Sequence, residues 1–147
     1  MVQSAGKKIR KMKRRIPTFE NFLNEAKKLH GKVVKPKNVV FHTGNPMFRD
    51  KILKMGLVPQ IGDSYRMHYE DNGVKPIPAI FAVNVGSIKD VYDSTYDDDI
   101  WEIDTKKANV KWFKDIHIYS DVAILTFETI PPNALKLVKK GTGKSTF

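Results

Sequence analysis

The sequence predicts an α+β domain carried behind a basic N-terminal arm, and three observations predict it. Short apolar runs, bounded by Gly, Pro, Asp or Asn, recur at residues 39–42, 78–83, 100–104 and 122–127, as strands do. One stretch between Pro46 and Gly56 carries apolar residues at helical spacing. The charge is divided: residues 1–37 hold twelve Lys/Arg against two Glu, whereas residues 38–147 hold fourteen of each sign, so the net +10 belongs to the arm.

The elements follow in order. Residues 1–15 carry seven Lys/Arg and little that a core would bury, which predicts a disordered segment. Pro17 and Thr18 open a short amphipathic helix, with Phe19, Phe22, Leu23, Ala26 and Leu29 at helical spacing and Gly31 as its stop. Residues 32–37 read as a linker. The domain proper begins at Asn38, and Val39-Val40-Phe41-His42 reads as a buried strand. Pro46 suits a first helical turn, and Met47, Phe48, Lys51, Ile52, Leu53 and Met55 form the predicted face of that helix. Residues 59–78, rich in Gly, Pro, Asp, Asn and Tyr, read as a long loop of functional or lid type.

A second core strand is predicted at residues 78–83 and a helical turn at 87–92. The acidic run Asp97-Asp98-Asp99 makes a turn before the strand 100–104. A further strand or hairpin arm falls at 111–118, and Val122 to Phe127 reads as a strong strand. Ile130-Pro131-Pro132-Asn133 then leads to Leu135, Leu137 and Val138. The organisation is therefore arm, helix and linker over 1–37, a domain over 38–138 and a flexible tail over 139–147.

Composition excludes several classes. The absence of Cys rules out disulfides, thiolate nucleophiles and Cys-type zinc sites, and fits a reducing, cytoplasmic setting. No apolar run approaches the roughly 18 residues of a membrane span. The basic N-terminus lacks the apolar stretch of a secretory signal. The four His, at 30, 42, 68 and 117, form no i, i+4 pair, so no metal site is predicted. Gly141-Thr142-Gly143-Lys144-Ser145-Thr146 resembles the end of a phosphate-binding loop, but the first Gly of that motif falls on Val138 and no helix follows. The acidic residues 90–104 lack calcium-loop spacing and read as a solvated face that could dock the basic arm.

The most informative segment is residues 38–61. A strand ends in His42-Thr43-Gly44, and the following helix closes on Gly56-Leu57-Val58-Pro59. Together with the strand Ile80-Phe81-Ala82-Val83 and the later Ile130-Pro131-Pro132, this order resembles the ADP-ribosyltransferase fold family. That family includes NAD-dependent transferases and RNA 2′-phosphotransferases. The resemblance covers residues 38–138. It implies a split, mostly antiparallel β-sandwich with a nicotinamide cleft between the sheets, and NAD as cofactor.

By the same resemblance His42 contacts the NAD ribose, with Thr43 beside it and Gly44 allowing close backbone approach. A His that merely closes the strand–helix turn is the structural alternative. Tyr92 would stack on nicotinamide, with Tyr65 and Tyr69 as alternatives; an aromatic face suits a flat cationic ring. Glu128, or else Glu102, would supply the carboxylate that orients the acceptor and stabilises charge at the anomeric carbon. Neither stands in the Gln/Glu-x-Glu context of arginine-directed members. The phosphotransferase branch uses several arginines, whereas this domain has Arg49 and Arg66.

Two functions follow as expectations. The first is an NAD-dependent transferase acting on a macromolecular acceptor, nucleic acid or protein. The second is a non-catalytic descendant of the fold, a virion or nucleoprotein component. In both, residues 1–15 bind nucleic acid or an acidic protein surface by charge, and the helix from Phe19 to Leu29 docks on a partner subunit. The segment from Thr18 to Ala26 resembles N-terminal segments of tailed-phage proteins, which would put the protein in a host cytoplasm or a virion.

Overall fold

A computed structural model describes residues 32–146 apart from residues 72, 74, 92–95 and 116–119. The basic arm, the helix expected from Phe19 to Leu29, and Tyr92 lie outside the described residues.

Among the described residues seven strands make one antiparallel sheet: β1 (Val33–Val34), β2 (Val39–Gly44), β3 (Ile80–Val83), β4 (Asp99–Asp104), β5 (Trp112–Lys114), β6 (Ala123–Thr126) and β7 (Leu135–Lys139). Their order is β1-β5-β6-β3-β2-β4-β7. Among the same residues three short α-helices accompany them: α1 (Arg49–Met55), α2 (Asp63–Asp71) and α3 (Thr105–Ala108). The chain is thus α+β, with one sheet where two separate sheets were expected. That sheet is nearly divided. β2 pairs with β4 at six positions, from Val39↔Asp104 to Gly44↔Asp99. β2 and β3 pair only at Phe41↔Val83.

The alternation of side chains explains the core. Along β3, β5 and β6 successive residues point to opposite faces. Ile80, Trp112 and Ile124 enter one apolar cluster with Val40, Trp101 and Ile103. Phe81, Phe113 and Leu125 enter a second. Both faces of this half are covered, so residues 122–127 are apolar apart from the buried Thr126.

α1 begins after a 3-10 turn at Pro46–Phe48, where the Asn45 side chain accepts from the Met47 N–H at 3.0 Å. It ends at Gly56, whose φ of +82° places it in the left-handed half of the backbone map. The glycine is required twice over, because a Cβ there would stand 2.1 Å from the Ile130 carbonyl oxygen. That approach serves a bridge: Leu57 and Ile130 exchange backbone hydrogen bonds of 2.9 Å each. The Gly-Leu-Val-Pro and Ile-Pro-Pro motifs therefore meet in space.

Several elements differ from expectation. Of the predicted face of α1 only Ile52 is buried, while Met47, Phe48, Leu53 and Met55 are exposed. A two-turn helix offers one contact to the core, and the rest of α1 forms a rim. The predicted loop 59–78 contains α2, from which Tyr65 and Tyr69, four residues apart, turn inward while Met67 stays exposed. The linker 32–37 supplies β1, paired with β5.

The segment expected as a flexible tail is hydrogen-bonded along its length. Gly141 N–H donates to Asp99, Thr142 donates to Asp97 through its N–H and hydroxyl, and Gly143 N–H donates to the Asp97 carbonyl. The glycine-rich run does cradle anions, but they are the chain's own carboxylates. The acidic run is correspondingly no solvated face at Asp99, which is fully buried. Among the described residues no helix is long and apolar enough to cross a membrane.

Candidate active-site cleft around His42

The near-division of the sheet builds the site. In a continuing ladder Thr43 would face Phe81, but pairing is confined to Phe41↔Val83. The Phe81 carbonyl, left without a strand partner on that side, is taken by His42 Nδ1 at 2.7 Å. A carbonyl oxygen only accepts, so Nδ1 carries the proton. Burial holds the imidazole below the ordinary histidine pKa, against smaller opposing effects of the Phe81 carbonyl and the Asp98 carboxylate. His42 is therefore neutral near pH 7, and Nε2 is a hydrogen-bond acceptor. Toward a sugar hydroxyl this ring nitrogen can therefore only accept. Nε2 lies beside Gly44, where an added Cβ would stand 3.4 Å from it.

His42 and Gly44 open into a cavity of about 370 Å³. Phe48, Lys51 and Ile52 of the α1 region form one wall. Gln60, Asp63 and Tyr65 form another. Tyr65 is fixed there: its hydroxyl donates to the Ile77 carbonyl at 2.5 Å, and its ring packs edge-on against Phe81 at 4.6 Å and Tyr69 at 4.5 Å. Burial raises the Tyr65 phenol to about 12, so it stays neutral.

His42, Gly44 and Tyr65 thus line one cavity. The other proposed residues do not join them. Thr43 alternates to the opposite face, where it lines a second, polar cavity of about 670 Å³ with Asp97, Asp98 and Lys139. Glu102 projects away as well, because it is paired with Phe41, whereas His42 is paired with Trp101. Glu128, two residues past β6, accepts from the Lys111 N–H at 2.9 Å and is not among the residues lining the His42 cavity. Tyr69 is buried, its hydroxyl 3.4 Å from Asp115. Tyr92 lies outside the described residues.

Of the two arginines of the domain, Arg49 is bound to Asp99 through Nε at 2.8 Å and Nη2 at 2.6 Å, and Arg66 meets Asp63 at 3.2 Å on the surface. Sequence reasoning missed Lys51, Gln60 and Asp63. Asp63 is the carboxylate in the cavity wall, and its signal was the first turn of a helix taken for a loop.

Compared with models of known protein families and with curated proteins, the sequence matches none.

Proposed function

We propose that the His42 cleft binds NAD and that the protein is an ADP-ribosyltransferase-like protein acting on nucleic acid or protein. The observation that carries this reading is the His42 tautomer. With Nδ1–H committed to Phe81, the neutral Nε2 accepts a hydrogen bond from a ribose hydroxyl, and Gly44 removes the side chain that would block the sugar. The fixed aromatic ring of Tyr65 supplies a face for nicotinamide in place of Tyr92. The near-division of the sheet beside His42 agrees with the cleft between two sheets that the family resemblance implies. NAD would supply an activated C–N bond to a neutral leaving group; the chain's part is to hold the ribose and exclude water. The basic arm would bring the protein to a polyanionic acceptor.

A second reading is favoured by one observation: neither Glu128 nor Glu102 lines the cavity. On that reading the protein binds without turning over, as a virion or nucleoprotein component. Calorimetric titration of NAD, followed by assay of nicotinamide release, separates the two. Wild-type protein should bind NAD, and His42→Ala should weaken binding about tenfold, the worth of one hydrogen bond to a neutral acceptor. Binding with no release of nicotinamide selects the second reading. No binding at all refutes the first.

A further inference from the structure

The C-terminal segment reaches the His42 cleft through three short steps. Gly141 is clamped from both sides of its peptide: its N–H donates to Asp99 Oδ1 at 2.8 Å, and its carbonyl accepts from Arg49 Nη2 at 3.0 Å. No side chain fits there, since a Cβ would stand 2.1 Å from the Asp97 carbonyl oxygen. Arg49 is the first residue of α1, directly after the 3-10 turn Pro46–Phe48. Gly143, at φ +76°, lies against that same turn, where a Cβ would be 3.6 Å from Pro46. The turn joins Gly44, beside His42 Nε2, to Phe48 and Lys51 in the cavity wall.

We infer that residues 141–143 act as a strap that sets the 44–48 turn against His42, and that Asp99, Arg49 and Gly141 are positioning residues for that histidine. Asp99 is the hub: it is wholly buried and binds the guanidinium through both oxygens while also receiving the strap. Asp97 holds the next stretch, taking both donors of Thr142 and, through its own backbone, Gly143 and Lys144. A rigid wall beside Nε2 is what a single hydrogen-bonding acceptor needs, because misplacement of the ligand by about 1 Å forfeits the bond. The inference deepens the reading of the cleft as an NAD site, but its first readout is the histidine itself.

The test follows the His42 ring by NMR through a pH titration of full-length, histidine-labelled protein, with the signal assigned by its loss in His42→Gln. Gly141→Ala forces the strap off Asp97. Thr142→Ala removes the hydroxyl's bond to Asp97 and the one it accepts from the Lys144 N–H, without adding bulk, and serves as the gentler variant. In both, with circular dichroism unchanged, the His42 midpoint should move toward the ordinary histidine value as water enters, outweighing any loss of the Asp98 charge. The half-saturating NAD concentration should rise by about tenfold in Gly141→Ala. A folded Gly141→Ala protein whose His42 signal and midpoint match wild type overturns the inference. If Gly141→Ala does not fold, an unchanged His42 in Thr142→Ala overturns it equally. Should wild-type protein bind no NAD, the NAD reading fails, and the histidine titration alone still decides the strap.

Discussion

β2 and β4 carry two polar regions that differ in one respect. At the cleft, His42 spends one ring nitrogen on Phe81 and leaves the other as an acceptor beside a cavity. At the clasp, Asp99 fills its oxygens with Arg49 and Gly141, and Asp97 binds Lys139 and Thr142. In the sequence the clasp is an acidic run, an arginine and a glycine-rich tail with no link between them, whereas His42-Thr43-Gly44 reads as the site. In the structure those groups satisfy one another. A polar group whose bonds are filled by its own chain stabilises the fold; one with a capacity left over at a cavity is available to a ligand.

The difference predicts how variants divide. The largest effect belongs to the clasp. Asp99→Ala leaves the Arg49 guanidinium and the Gly141 N–H without their acceptor, and should cost about 3 kcal/mol in urea unfolding. His42→Ala should cost about 1 kcal/mol in stability, one hydrogen bond to a carbonyl, while weakening NAD binding about tenfold. Equal losses from the two changes would erase the distinction.

The pH axis separates the regions next. Arg49 holds the Asp99 carboxyl below the ordinary carboxylate range, and Lys139 does the same for Asp97. A lowered folded-state pKa means that the unfolded chain binds protons first, so this stability is complete above about pH 4 and is lost as pH falls through the lowered values. His42 is also lowered, so its contribution is complete above about pH 6.5 and declines below that. Unfolding midpoints measured from pH 8 to pH 3 should therefore fall in two stages. His42→Gln should remove the upper stage and Asp99→Asn should diminish the lower one.

The smallest effect is expected at Glu128. Its carboxylate accepts from the Lys111 N–H away from the cavity, so Glu128→Gln keeps an acceptor there and should change NAD affinity less than twofold. A strong loss of binding in that variant would return Glu128 to the site.

How much of this was legible in the sequence follows from which interactions are local. Val39 to Gly44, the Asn45-Pro46 start of α1 and the Gly56 stop are written in neighbouring residues, and each lies where the sequence suggested. α2 was not, because its burial rests on two tyrosines in a segment otherwise rich in polar residues and loop formers. The clasp was not either: Arg49 and Asp99 are fifty residues apart, and Gly141 a further forty-two. The separation of Glu102 from His42 depends on strand register, which fixes faces only once β2 and β4 are paired. The tautomer of His42 depends on a carbonyl freed by the division of the sheet, a property of the assembled fold.

In the NAD reading proposed above, neutral His42 Nε2 receives a hydroxyl of the bound dinucleotide. The most direct measurement is the nitrogen NMR spectrum of the His42 ring during NAD titration near pH 7.5. Nδ1 should stay protonated throughout, while the Nε2 resonance shifts saturably in the direction of an accepted hydrogen bond. A His42 ring that is unmoved at NAD concentrations saturating any other signal of the protein, or one that carries its proton on Nε2, would contradict it.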